Sequence, residues 1–266
     1  MNTPVIDFHT HAFPDPVAAR AVPALEQAGN MKATSDGTIQ GLLASMDSCG
    51  ITASVICSIA TKINQFAAIL QWSEKIRSKR IIPLPSLHPD DPDLVEHIHQ
   101  ISDQGFIGIK LHPYYQNFYL AENRLDRLYA ALIDCNLLLV VHSGFDIAYP
   151  QTRRTDPEQV LLLLKKFPRL RLITTHLGGW QDWHEVERLL IGKPIHMEIS
   201  FALNYLNRSK ARKLLTSHPA DYLLFGSDTP WVDQSTYLQQ LQQLELPPAL
   251  YEKIVWKNGE KILQTS

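Results

Sequence analysis

Eight short runs of aliphatic and β-branched residues, each followed by a stretch with helical periodicity, most constrain how this chain can fold. They are VIDFHTH (5–11), TASVICSIA (52–60), RIIPLPSL (80–87), GFIGIKLH (105–112), LLLVVHSG (137–144), LRLITTHLGG (170–179), PIHMEIS (194–200) and YLLFGSD (222–228). Several are apolar almost throughout instead of alternating, the pattern of parallel strands covered on both faces. The stretches between them carry helix signals. Asp91 is an N-cap with Pro92 at the first helical position and Gly105 just past the end, and Asp156 with Pro157 repeats the device. Gly50 and Asn136 close two further helices.

Eight strand–helix units in 266 residues fit an α/β fold of the (β/α)8 TIM-barrel kind. A doubly wound open sheet is the alternative, but no GxGxxG or GxxxxGK[ST] follows any strand. No Ser/Gly tract, charge run or composition break marks a linker, so residues 1–266 are expected to form a single domain. The segment 12–50 after the first strand is long for a connection. Within it, DPVAARAVPALEQAG reads as an inserted helix over the barrel mouth, a place where lids form.

A net charge of -2 gives no electrostatic reason to expect nucleic acid or an anionic membrane as partner, so a small-molecule substrate is expected. The apolar run at 137–141 is far too short to cross a bilayer. A strand-like segment from Val5 leaves no room for a secretory signal, so a cytoplasmic location is expected. Cys49, Cys57 and Cys135 sit singly in apolar segments, as reduced core thiols do.

In a barrel the chemistry collects at the C-terminal ends of the strands, and here histidine collects there. His9 and His11 end the first strand, His88 follows the third, and His112, His142 and His176 end the fourth, fifth and sixth; Asp228 ends the eighth. Residues two apart on a strand face the same way, so His9 and His11 can aim at one ion. Taken alone, an HxH pair is as readily a hydrogen-bonded strand terminus. With His142, His176 and Asp228 brought to the same mouth, the set suits a divalent ion with an open water position. Asp228 could ligate the ion, accept the water's proton, or do both.

Lys110, two residues before His112, has three readings: carboxylated and bridging two ions, an ammonium that binds a substrate anion, or a structural ion-pair partner. His112 and His88, each before a proline, and Arg153 and Arg154, after the fifth strand, are candidate substrate contacts; the arginines would clamp a carboxylate. Trp180, Trp183 and Trp231 would wall an apolar or ring substrate, or pack as core against the loops. Asp7, sharing parity with His9, is expected to orient it from the layer below. Glu198 and Ser200 share a face and read as a buried, mutually satisfied pair or as an acceptor behind the site.

HxH on strand one, histidine on strands five and six and aspartate on strand eight resemble the signature of the amidohydrolase superfamily. HLGGW (176–180) with LLFGSDTPW (223–231) looks like its amidohydrolase-related branch, which includes aminocarboxymuconate-semialdehyde decarboxylase-like proteins. The resemblance implies one divalent metal, usually Zn²⁺, on His9, His11, His142 and Asp228, with His176 as acid/base. It implies alternatively two ions, with Lys110 carboxylated as the bridge and His142 and His176 holding the second. Barrels of this branch are often homodimers. The expected activity is a metal-dependent hydrolase: activated water attacks an amide, ester or lactone, Asp228 takes its proton and His176 stabilises or protonates what leaves. The alternative is nonoxidative decarboxylation of an unsaturated or aromatic acid, with His176 protonating carbon and an arginine holding the carboxylate.

Overall fold

The computed structural model describes residues 3–149 and 152–264. Its described residues contain eight strands: β1 (Ile6–Thr10), β2 (Ala53–Cys57), β3 (Ile81–Leu84), β4 (Gly108–Leu111), β5 (Leu138–Val141), β6 (Arg171–Thr174), β7 (His196–Glu198) and β8 (Leu223–Leu224). Every pairing is parallel. The ladders run β1-β2-β3 and β4-β5-β6-β7-β8. The break between them has a local cause: Pro83 and Pro85 lack the N–H a ladder needs. Lys110 N donates to Pro85 O (3.0 Å) across that seam. The other seam is closed by Phe8 N to Phe225 O and Asp228 N to His9 O, both 2.8 Å. The result is the (β/α)8 barrel, a single domain.

Helices alternate with the strands. Between β1 and β2 lie α1 (Asp15–Gly29), which is the inserted segment, and α2 (Ile39–Cys49). The others are α3 (Phe66–Ile76), α4 (Leu94–Asp103), α5 (Asp126–Asp134), α6 (Pro157–Lys166), α7 (Trp183–Leu189), α8 (Ala202–Tyr205), α9 (Arg208–Ser217), α10 (Gln234–Gln243), α11 (Pro248–Glu252) and α12 (Asn258–Gln264). α6 starts as expected, with Asp156 Oδ1 accepting from Gln159 N (2.9 Å) and Pro157 leading. α4 starts later than its sequence implies. Asp91 spends its carboxylate on Asp93 N (3.0 Å) and His97 Nδ1 (2.8 Å), which leaves Pro92 in a turn.

The core has two layers. Ile6, Phe8, Val55, Leu84, Val140 and Ile173 fill the barrel, while a larger cluster including Leu42, Met46, Ile56, Leu139 and Val141 lies between barrel and helices. Along β1 the inward–outward alternation is broken. The register to β2 shifts between Asp7 and Thr10, a bulge that re-aims the residues after it. This corrects the expected parity of Asp7 and His9. The Asp7 carboxylate accepts from Ser227 N (2.9 Å), Ser227 Oγ (2.6 Å) and Gln234 Nε2 (2.7 Å), and reaches His9 only at its backbone N–H (3.2 Å). It fastens β1 to the loop after β8 and to α10. The three cysteines are free thiols, and no described helix is long and apolar enough to cross a membrane.

Candidate metal centre and active site

The bulge in β1 turns His9 and His11 toward one point. Their Nε2 atoms are 3.1 Å apart, and Asp228 Oδ1 lies 3.0 Å from His11 Nε2 and 3.5 Å from His9 Nε2. These three side chains form a group with metal-ligand spacing. The hydrogen bonds behind the rings fix their tautomers. His9 Nδ1 donates to Glu198 Oε1 (2.8 Å) and His11 Nδ1 to the Cys57 carbonyl (2.9 Å), so both Nε2 atoms present lone pairs. Around the mouth the same holds. His142 Nε2 donates to Phe145 O (2.9 Å) and His176 Nδ1 to Ser200 O (3.1 Å), so His142 Nδ1 and His176 Nε2, 3.0 Å apart, also face each other as lone pairs.

Lone pairs that confront one another repel unless a cation lies among them. Asp228 Oδ1 is buried with no hydrogen bond, an orphaned acceptor at that place. Burial, reinforced by the positive charge of Lys110, holds His9 well below the usual imidazole range. Burial also holds His142 well below it and brings His176 down to about 4, so these rings are neutral at neutral pH. Burial alone would raise Asp228; positive charge on the facing rings of His9, His11 and His176 outweighs it and keeps the carboxyl well below the carboxylate range, so a cation among them holds it ionised. Neutral imidazoles beside an ionised carboxylate fit a divalent ion.

Two left-handed turns hold the donors in place. His176 and Leu177 have φ of 58° and 54° before Gly178 at 83°, and Asp228 has φ of 70°. Such values in non-glycine residues persist only where neighbours enforce them. The main chain here is pinned by His176 N to Glu198 Oε1 (3.0 Å), Leu177 N to Glu198 O (2.7 Å) and Trp183 Nε1 to His176 O (3.0 Å). Glu198 is therefore a hub. It receives His9, the His176 backbone, Ser200 Oγ (2.8 Å) and Ser200 N (2.7 Å), so the pair that the sequence left between two readings is both satisfied and directly behind the site.

Lys110 is fully buried, with Nζ 3.1 Å from His9 Nε2 and no carboxylate within ion-pair distance among the described residues. The ion-pair reading of Lys110 is thereby removed. His142 does not join the His9–His11–Asp228 group: its ring stacks on His112 (centroids 4.1 Å apart) and Nδ1 turns toward His176. His112 and His142 flank Asp146, whose Oδ2 is 3.5 Å and 3.9 Å from their Nε2 atoms. Burial pushes the Asp146 carboxyl up to about 6. The sequence reading missed Asp146; its only trace there was a carboxylate four residues past a strand-end histidine.

These side chains floor a cavity of about 490 Å³. His112, Trp180 and Trp231 line it, with Phe13, Tyr115 and Phe201. Arg153, Arg154, His88 and Trp183 are not among its described lining residues, and Trp183 is buried in the core. Arg153 is drawn away by Asp182 (2.5 Å), Arg154 lies over the Tyr119 ring (5.2 Å), and His88 accepts from Asp90 N (3.2 Å).

A closed parallel barrel with clustered imidazoles and an ionised aspartate at the C-terminal mouth defines the class: metal-dependent barrel enzymes. Within it, the chain belongs to the Amidohydrolase family, whose model matches residues 6–265. Similar solved structures include an uncharacterised TIM-barrel protein from Bordetella bronchiseptica (20% identity, 98% of each chain, TM-score 0.78). Another is 5-carboxyvanillate decarboxylase from Sphingomonas paucimobilis (12%, 99% of each chain, 0.72). A third is 2,6-dihydroxybenzoate decarboxylase bound to 2,6-dihydroxybenzoate (15%, 99% of this chain and 100% of the other, 0.73). At these identities the likeness is one of fold. No curated protein matches the chain.

Proposed function

We propose that this protein is a metal-dependent, nonoxidative decarboxylase of an aromatic or unsaturated carboxylic acid. The observation that carries it is the cavity: apolar and aromatic walls around the metal-ligand group, with Lys110 the one lysine or arginine among the described lining residues. A flat acid would place its ring against the walls and its carboxylate at the polar floor, where Lys110 makes no ion pair among the described residues. The decarboxylases among the structural neighbours, one of them holding manganese and a nitrobenzoic acid, support the reading.

His9, His11 and Asp228 would hold the ion, Zn²⁺ or Mn²⁺, with His142 Nδ1 turned to His176 Nε2 beside them. The ion would supply Lewis acidity toward the substrate's oxygens. Lys110 neutralises and positions the carboxylate. The ring carbon would keep the electron pair of the breaking C–C bond and take a proton that solvent delivers through His176 Nε2, while CO₂ leaves. His176 is neutral at rest with its Nε2 lone pair facing the site, so it would relay a proton that solvent supplies at the moment of transfer; burial, which brings it down to about 4, makes the transient imidazolium a strong acid. The arginine clamp expected for this chemistry is replaced by Lys110. Hydrolysis would use the same ionised Asp228 as base, but the apolar walls favour a ring over a polar amide.

The test is to load the protein with Zn²⁺ or Mn²⁺ and follow CO₂ from a panel of hydroxybenzoates beside water-dependent opening of lactones and amides. CO₂ release, lost together with metal binding in His9→Ala and His11→Ala, is expected. Lactone or amide cleavage without CO₂ would overturn the proposal in favour of hydrolysis.

A further inference from the structure

The cavity is larger than a one-ring acid needs. A cavity of about 150 Å³ accommodates benzene, and this one has about 490 Å³. The surplus lies away from the metal-ligand group, between α1 and α3. Ala21, Ala24 and Leu25 of α1 and Ala68, Ile69 and Trp72 of α3 line it. The α1 residues follow an i, i+3, i+4 spacing, so they make one apolar strip, next to the buried Ala18 and Val22. Along that strip Ala21 and Leu25 are half-buried and Ala24 is exposed, so the fold leaves it open. The strip is continuous with the site and carries no charged side chain among the described lining residues. At the floor the cationic side chain is Lys110, and the Asp146 carboxyl group lies there beside His112 (3.5 Å), where a second anion would meet it.

We propose that the acid this site takes has a single carboxylate and an apolar arm, a second ring or an alkyl chain of that size, seated between α1 and α3. The assignment rests on the reading of the site as one for acids, and does not require that CO₂ is the product. It makes Ala24 and Ala68 specificity-determining positions: they are small, exposed and not among the metal-ligand residues.

Isothermal titration of the Zn²⁺-loaded full chain with benzoate, biphenyl-4-carboxylate and isophthalate tests it. Burying a second ring is expected to make biphenyl-4-carboxylate bind at least about tenfold tighter than benzoate. Isophthalate, with two carboxylates, is expected to bind about tenfold or more weaker than benzoate. Ala24→Trp fills the groove and Ala68→Asp charges it; each should bring the biphenyl advantage below about threefold while benzoate moves by less than about twofold. Equal binding of benzoate and biphenyl-4-carboxylate, isophthalate as tight as benzoate, an advantage undiminished in both variants, or no binding of any acid would each overturn the proposal. So would a dimer in sedimentation that Ala24→Trp dissociates, since a second copy would then occupy the groove. The expected order of binding without CO₂ release from any acid would leave this assignment standing and remove decarboxylation; CO₂ release without preference for the second ring would do the reverse.

Discussion

Replacing Glu198 by glutamine separates a structural from a metal-organising role for the residue at the end of β7. In the native site its two oxygens accept four hydrogen bonds: Oε1 from His9 Nδ1 (2.8 Å), His176 N (3.0 Å) and Ser200 Oγ (2.8 Å), Oε2 from Ser200 N (2.7 Å). Glutamine is isosteric but has one acceptor. If its oxygen keeps the Oε1 place, its NH₂ meets the Ser200 N–H, donor against donor. If it flips, the NH₂ meets His9 Nδ1–H, and His9 is driven to the tautomer whose Nε2 carries a proton and can no longer ligate. An unsatisfied buried group of this kind costs about 1–3 kcal/mol. Losing a partner behind a metal-bound histidine lowers affinity about 10–100-fold, equivalent to about 1.4–2.8 kcal/mol. Competition against a chromophoric chelator measures Zn²⁺ affinity, and far-UV circular dichroism with a thermal melt shows whether the barrel still folds. Zn²⁺ affinity within about threefold of native in a folded Glu198→Gln protein would refute the reasoning, because His9 would then be oriented by something other than Glu198.

Gly226 gives an independent route to the same contact: a Cβ there would sit 2.2 Å from Glu198 Oε2 and 3.0 Å from His9 Cβ, so Gly226→Ala should weaken Zn²⁺ binding about tenfold or more in the chelator assay. Arg153→Ala and Arg154→Ala should leave acid binding within about twofold, as neither side chain reaches the cavity; because Asp182 is buried, Arg153→Ala should cost about 1–3 kcal/mol in denaturant titration. His196, at the start of β7, is brought down to about 4, chiefly by burial and then by Arg171. The folded state thus binds fewer protons than the unfolded state, so this contribution is full above the ordinary imidazole pKa of about 6.5 and is lost as pH falls toward 4. His196→Phe should therefore flatten the acid limb of the stability–pH curve by on the order of 2 kcal/mol between pH 7 and 4, read by urea unfolding at each pH. Cys57, whose thiol burial pushes up to about 12, should resist alkylation at pH 8 in the folded protein and react on unfolding, as mass spectrometry would show.

Much of this architecture is written locally. Strand runs such as GFIGIKLH and LLLVVHSG are mostly apolar and appear as β4 and β5, and the Asp156–Pro157 start signal opens α6. The inserted helix DPVAARAVPALEQAG appears as α1, because proline at the start and a 3.6-residue apolar pattern are short-range information. The position of Asp7 was not legible, because a one-residue bulge in β1 reverses the alternation and nothing in IDFHT marks it. Nor was the outward course of Arg153, which depends on Asp182 from a different strand-end loop.

By itself, then, the sequence determined the eightfold strand–helix order and which side chains stand at strand ends, since both follow from periodicities of two and 3.6 residues along the chain. The tertiary structure alone decided which of those side chains meet. His9, His11 and Asp228 converge, His142 turns to His176 and His112, and Glu198 becomes the common acceptor behind two histidines. The reason is physical: hydrogen-bond partners such as the Cys57, Phe145 and Ser200 carbonyls set the ring tautomers, and barrel closure brings them from 3 to 189 residues away in sequence.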